Sequence, residues 1–274
     1  MKLKELLNKE LTKKQLEVMP TSFDTVGDIL IFNDFPEELK KKEKIIGNKI
    51  LNSLSNIKVV TKKTGKYSGT YRTPKLKILA GERRKETIHK ENNTRLKLHV
   101  EKAYFSTRTA TERKRIFELV KKGEKVLVMF SGIAPLPCTI ARNSKPSKIL
   151  GIEINPEAHK YAEENVKLNK ITNIELKNGD VRKLLPKIKD KFDRILMPLP
   201  KTAEEFLALA LTKVKKGGMI HLYSFINPKE LPEFKKKIKE ICKESKKSCR
   251  ITKVGKCGQF SPEEFRMSLD LKIL

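Results

Sequence analysis

Apolar positions along the chain change their spacing near residue 110. Before that point, FDTVGDILIF reads as a strand with a turn at Val26, Gly27 and Asp28, and PEELKKKEKIIGNKILNSL has the spacing of an amphipathic helix opened by Pro36. IKVVTKK, KLKILAG, KETIHKEN and RLKLHVEKAYF then alternate like antiparallel strands. Residues 21–100 are therefore expected to form a small α+β domain, preceded over 1–20 by a short charged helix ending at Met19 and Pro20. From about residue 112, short apolar runs alternate with helical patterns. KVLVMF, ILGIEI, NIELKNGD, FDRILMPLP and KKGGMIHLYSF give the strands, NIELKNGD closing in a turn and KKGGMIHLYSF opening with one at KKGG; PEAHKYAEENVKLN, KTAEEFLALALTKV and PKELPEFKKKIKEICKES are helices between or after them. CRITKVGKCG and EEFRMSLDLKIL close the chain as two more strands. This order predicts an α/β domain over 101–274: a seven-stranded, mostly parallel sheet covered on both faces, with an antiparallel pair at one edge.

Composition narrows the functional classes. With 38% hydrophobic residues in 274, the chain can bury a sizeable core, and no uncharged apolar run approaches the roughly 18–20 residues that span a bilayer. The N-terminus lacks the apolar stretch of a signal peptide, so the cytoplasm is the expected location. Cys138, Cys242, Cys249 and Cys257 have neither zinc spacing nor a disulfide pattern, and no metal site is expected. The formal net charge of +28 calls for a polyanionic partner, nucleic acid first and an anionic membrane surface next, unless it reflects a general Lys bias. Lys outnumbers Arg, which favours phosphate tracking over base-specific forks. With 6% aromatic residues and no Trp, the sequence shows no evident stacking platform.

Ligands of such sheets lie at the carboxyl ends of the strands. The first strand ends at Phe130, Ser131 and Gly132, and Gly132 permits a sharp turn and close backbone approach. A full GxGxxG is missing because Ala134 occupies the place of a second glycine. The second strand ends in Glu153, suited to accept hydrogen bonds from two ribose hydroxyls. The third ends in NGDVR, where Asp180 either accepts from an adenine amino group or caps the next helix, or does both. The fourth ends in MPLP, where Pro198 stiffens the rim. One glycine turn without a phosphate cradle fits S-adenosylmethionine better than NAD or ATP.

VLVMFSGIAPLPCTIA, GIEINPEAHKYAEENVKLN, NGDVRKLLP, DRILMPLPKTAEEFLALAL and KKGGMIHLYSF resemble, in this order, the archaeal and eukaryotic tRNA (guanine-N1)-methyltransferase family, whose relatives act in the wybutosine pathway. GTYRTPKLKILAGERRKETIHKENNTRLKLHVEKAYFSTRTATER is similar to the small domain and linker of that family. The resemblance implies a Rossmann-like class I methyltransferase domain that uses S-adenosylmethionine to methylate guanosine at tRNA position 37, with the anticodon stem-loop as partner, no membrane and a monomeric state. It implies that Glu112 is the general base, with Arg72 and Arg113 at the target guanine and its phosphate. Glu153 would hold the ribose and Asp180 would lie near the adenine; Phe130 and Gly132 would line the cofactor, approached by Tyr104 and Arg108. Without the resemblance, Glu112 reads as a first-turn helix carboxylate facing the macrodipole, and Arg72 as an exposed strand arginine.

Three departures qualify the match. Pro198 stands where the family's N-L-P motif has Asn, which loosens the hold on guanine or points to a branch acting on a tricyclic intermediate. Val128 replaces an acidic residue of the first strand. The region before Phe23 is short where longer members carry a tRNA-elbow-reading domain, which predicts a less strict check of tRNA shape. An aminocarboxypropyl transferase on the same scaffold and a catalytically silent tRNA-binding protein remain alternatives. The basic helix PEFKKKIKEICKESKKSCR either tracks phosphates or is a solvated face.

Overall fold

Apolar side chains gather into separate cores, and the chain divides into two units: Met1–Lys90 with Arg95–Thr107, and Glu91–Thr94 with Arg108–Leu274. The structure is a computed structural model that describes residues 3–65, 71, 73–199 and 201–274. Among the described residues, no helix is long and apolar enough to cross a membrane.

The first unit begins with two short helices, α1 (Leu3–Leu6) and α2 (Lys13–Glu17), where the sequence predicts one. The break follows from Thr12, which with Gln15 forms a capping box and starts a new helix. The strands β1 (Asp24–Val26) and β2 (Ile29–Phe32) fold at Gly27, as expected. A 3₁₀ turn, Glu37–Lys42, leads into α3 (Glu43–Ser53), and β3 (Val59–Lys63) and β4 (Leu76–Gly81) complete a sheet of order β1-β2-β3-β4. The expected antiparallel pairing holds for β3 with β4, but β3 runs parallel to β2 because α3 carries the chain back across the sheet. Gly47 lets α3 lie directly on β4: a Cβ there would stand 2.7 Å from the Ala80 methyl. Leu30, Phe32, Ile46, Ile50, Val60 and Leu79 form the core between them. A separate hairpin, β5 (Glu86–Glu91) and β6 (Thr94–His99), follows.

The second unit opens with α4 (Ala110–Leu119) and alternates through β7 (Lys125–Met129), α5 (Pro135–Asn143), β8 (Lys148–Glu153), α6 (Pro156–Leu168), β9 (Ile174–Asn178), α7 (Val181–Leu184), β10 (Phe192–Met197), α8 (Leu207–Leu211), β11 (Val214–Ile226) and α9 (Leu231–Glu244). It closes with β12 (Cys249–Gln259) and β13 (Phe265–Ile273). The seven strands take the order β12-β13-β11-β10-β7-β8-β9, with β13 antiparallel to both neighbours and the core strands parallel. α4 and α5 cover one face through Ile116, Leu136 and Ile140; α8 and α9 cover the other through Leu207, Ala210, Ile238 and Cys242. Two local expectations change. KTAEEFLALALTKV is helical only in part, as a 3₁₀ turn at Ala203–Phe206 and then α8, and the KKGG stretch read as a turn lies inside β11, where the pairing with β10 shifts register and Gly217 takes a positive φ.

The α4 face of the sheet holds a chain of buried charges. Arg115 donates Nη1 to Asp270 Oδ2 at 2.7 Å and Nη2 to Oδ1 at 3.1 Å. Asp270 Oδ1 lies 2.7 Å from His221 Nδ1, and His221 Nε2 lies 2.6 Å from Arg194 Nη1. Arg194 in turn donates to Glu124 and to the Leu119 carbonyl that ends α4. A guanidinium can only donate, so Nε2 of His221 must accept and Nδ1 must carry the proton: the ring is neutral and its tautomer fixed. Burial lowers the His221 pKa, against the pull of Asp270. For Asp270, burial works upward, but hydrogen bonds from His221 and Arg115, with the charge of Arg115, prevail and hold the carboxyl well below its ordinary range.

Because the folded value of Asp270 lies below the unfolded one, its stabilising effect is present above about pH 3.8 and is lost as the pH falls from there toward the folded value. Urea unfolding followed from neutral pH down through the carboxylate range is expected to show this loss. Asp270→Asn should unfold about 1–3 kcal/mol more easily at neutral pH, because it removes one of the two carboxylates that hold Arg115, and should show a shallower decline in acid.

Candidate active site

The carboxyl ends of β7, β8, β9 and β10 converge on one rim of the sheet. Glu153, the last residue of β8, is buried and points its carboxylate at the turn after β7. Its Oε2 accepts from Gly132 N at 2.7 Å and its Oε1 from Asn155 N at 2.8 Å. Burial pushes the carboxyl pKa up, while these backbone N–H groups and that of Ile154 oppose the shift. The turn itself places Phe130, Gly132 and Ala134 at φ values of 59°, 56° and 63°, alternating with ordinary residues. Glycine adopts that region freely; Phe130 and Ala134 do so at a cost, and Ala134 serves as the N-cap position of α5. Phe130 packs edge-on against Phe206, with centroids 4.9 Å apart, and the Arg182 guanidinium lies over the same Phe206 ring.

Asp180 is the N-cap of α7: Oδ1 accepts from Arg182 N at 2.8 Å. Its capping role is thus present, and the second oxygen leaves an acceptor for a ligand. Asn178 ties the β9 end to the Glu153 carbonyl at 2.8 Å. After β10, Leu199 N donates to Met197 O at 2.8 Å across Pro198, a tight turn that proline rigidifies. The residues suit an adenosyl ligand with a ribose diol. A carboxylate offers about four acceptor positions, more than the three backbone N–H groups, of Gly132, Asn155 and Ile154, that Glu153 faces. The buried hydroxyl of Ser131, in the same turn, has no hydrogen-bond partner among the described residues.

Glu112 lies in the first turn of α4, where the helix dipole favours a negative charge. Its Oε2 accepts from Arg115 Nε at 2.8 Å; its Oε1 accepts from Arg115 Nη2 at 2.7 Å and from the Tyr223 hydroxyl at 2.8 Å. Tyr223 is buried on β11, and burial together with the Glu112 charge raises its pKa well above the usual range, so it stays a donor. Three donors therefore fix the Glu112 carboxylate, and about one acceptor position remains.

The remaining expected site residues are Arg113, Arg108, Tyr104 and Arg72. Arg113 is buried; its Nε and Nη2 both bind the Glu91 carboxylate and its Nη1 binds Thr109 Oγ1 at 2.5 Å. It is committed to this ion pair and holds the start of α4, and is not presented to a phosphate. Arg108 is exposed just before α4. Tyr104 belongs to the first unit and is 40% exposed. Arg72 lies outside the described residues. Tyr223, Arg115, Asp270, His221 and Arg194 carry no role in the sequence reading, in which His221 is simply a strand residue. The available signal was a charged residue inside an apolar strand, Arg194 in FDRILM and Asp270 in MSLDLKIL, since such a residue must find a partner.

Comparison with known proteins agrees with this geometry. Residues 87–252 match the TRM5/TYW2 methyltransferase domain, and residues 3–84 match the TYW2 N-terminal domain. The tRNA (guanine(37)-N(1))-methyltransferase Trm5b of Pyrococcus abyssi is 41% identical over 259 residues, covering 93% of this chain and 76% of the relative. Its crystal structure superposes with a TM-score of 0.87 over 96% of this chain and 78% of that one, at 39% identity. A Nanoarchaeum equitans relative, tRNA (guanine(37)-N(1))/4-demethylwyosine(37)-methyltransferase Taw22, is 37% identical over 80% of this chain and 88% of its own length. The complex structure of aTrm5 and tRNALeu matches with a TM-score of 0.84 at 32% identity, over 100% of this chain and 78% of that one. With its strand order, its Glu153 turn and these matches, the chain belongs to the TRM5/TYW2 methyltransferase family.

Proposed function

We propose that the protein methylates N1 of guanosine at position 37 of tRNA, acting as a cytoplasmic monomer on the anticodon stem-loop with S-adenosylmethionine as methyl donor. The observation that carries this reading is the Glu112 carboxylate, fixed by Arg115 and Tyr223 with an acceptor position to spare. Glu153, Gly132, Phe130 and Asp180 would hold the cofactor, with Tyr104 and Arg108 assigned to it by their place in the linker motif. Bound S-adenosylmethionine supplies an electrophilic methyl carbon on a sulfonium.

Guanine N1 carries a proton at neutral pH and is no nucleophile until that proton leaves. Glu112 accepts it at the position that Arg115 and Tyr223 leave open, which is general-base catalysis. Arg115 and Tyr223 keep the carboxylate from rotating away, and the Arg115–Asp270 pair keeps Arg115 from following the proton. Arg72, by its motif match, is assigned to guanine O6, where a donor stabilises developing negative charge. Arg113 acts through α4 and Glu91. The reaction asks for alignment of the two centres, which a rigid strand end and helix turn provide.

Pro198 favours a second reading for substrate range. It has no side-chain amide to hold a guanine edge, and the Nanoarchaeum equitans relative is named for both guanosine and 4-demethylwyosine. The protein would then methylate the tricyclic base as well.

Mass spectrometry of nucleosides, after incubation of the protein with S-adenosylmethionine and a transcript tRNA, is expected to show N1-methylguanosine, lost when position 37 is adenosine. No methylated nucleoside on any tRNA would sink the reading; product only on tRNA bearing the tricyclic base would establish the second. In single-turnover assays, Glu112→Gln is expected to slow methyl transfer by roughly 10²–10⁴-fold and leave tRNA affinity unchanged.

A further inference from the structure

The row of side chains that begins with His221 does not stop at Tyr223. Alternate residues of a strand share a face, so His221, Tyr223 and Phe225 stand in line on the α4 face of β11, about 7 Å apart. Their partners on β13 are Asp270, Ser268 and Arg266. Burial falls along the row: His221 and Tyr223 are enclosed, and Phe225 is half-buried. The row thus leaves the interior at the carboxyl end of β11, the rim that holds the candidate active site.

At that exit the Phe225 ring stacks on Phe260, which follows β12. The centroids are 4.0 Å apart and the planes 22° from parallel. Phe260 is 52% exposed, so one side of the stack meets solvent. The guanidinium of Arg266 lies 5.4 Å from the Phe225 centroid, and Lys256 Nζ lies 3.9 Å over the ring of Phe265. The carboxylates of the following turn, Glu263 and Glu264, line a groove with Asn227 and Glu230, which leaves the cations of β12 and β13 as the approach for an anionic chain. A protein with few aromatic residues and no Trp thus spends two of them on an open stack, edged by positive charge, one strand repeat beyond the tyrosine that fixes Glu112.

We propose that Phe260, backed by Phe225 and Arg266, is a stacking platform for an unpaired nucleobase of the RNA, the neighbour of the nucleotide presented to Glu112. The proposal rests on the RNA reading given above. An aromatic face takes any base, so the platform contributes grip and register without reading sequence. Because Phe225 stands one strand repeat beyond Tyr223, a base held on Phe260 marks the place from which the neighbouring nucleotide reaches the carboxylate.

The absence of Trp makes Phe260→Trp a unique fluorophore that keeps an aromatic face. Its emission is expected to be quenched by tRNA and by an isolated anticodon stem-loop, and not by a fully paired duplex. Unchanged emission at RNA concentrations that saturate binding in a filter assay would overturn the platform, as would equal quenching by the duplex. In steady state, Phe260→Leu is expected to raise KM for tRNA roughly tenfold with a smaller change in kcat, and a KM within about twofold of the parent would also overturn it. Methyl transfer by the parent chain on the same tRNA separates the two claims. Transfer without quenching removes the platform and keeps the enzyme; quenching without transfer keeps the platform and removes the enzyme.

Discussion

Arg115 is held between two carboxylates, and much of the catalytic unit is arranged by that fact. One carboxylate, Glu112, is its neighbour one helical turn away; the other, Asp270, comes from a strand 155 residues on. A guanidinium that binds both in bidentate fashion admits few orientations of α4 on the sheet. The line continues through His221 and Arg194 to Glu124 and to the carbonyl that ends α4, so the helix is fixed at both ends. Taking so many charges out of water is costly, and the pairing mostly offsets that cost without adding much net stability. What the chain of charges specifies is one geometry: a single His221 tautomer and a single aim for Glu112.

The carboxyl-end rim follows another rule. Glu153 uses its carboxylate to gather the backbone of two turns, after β7 and after β8, before any ligand is considered. This settles why a full glycine fingerprint is unnecessary. Gly132 alone must bring its N–H close to Glu153, while Ala134 holds its positive φ at the start of α5 with the help of that helix and of Asn165, whose amide binds the Ile133 carbonyl. The turn is rigid because a side chain from the next strand binds it.

Most of the architecture was legible in the chain because it follows from local periods. Strands β7 to β11 are short apolar runs, and their ends carry the polar residues that mark the rim. Asp180 was readable as a cap because capping is a two-residue affair. What escaped were pairings made at long range. Arg113 follows Glu112 in a motif and so was assigned to the substrate, yet its partner Glu91 lies 22 residues earlier, at the end of β5, with no local signal of the contact. Arg194 and Asp270 announce by their burial that partners exist, but periodicity cannot say that His221 lies between them. The parallel pairing of β2 and β3 escaped likewise, since alternation along one strand is silent about the direction of its neighbour.

Among the described residues, the sheet ends at β12, eleven residues long, with β13 as its one neighbour. An open edge of that length displays a row of unpaired N–H and C=O groups, to which a second copy could add its own strand. Arg250, Lys253 and Lys256 project from it, and Lys235 and Lys239 of α9 border the groove alongside. Two such edges brought together would set cation against cation along their whole length. The same charges that suit the protein to a polyanion therefore also act as a guard against self-assembly, and a variant neutralised along β12 would trade solubility for stickiness well before it lost its fold.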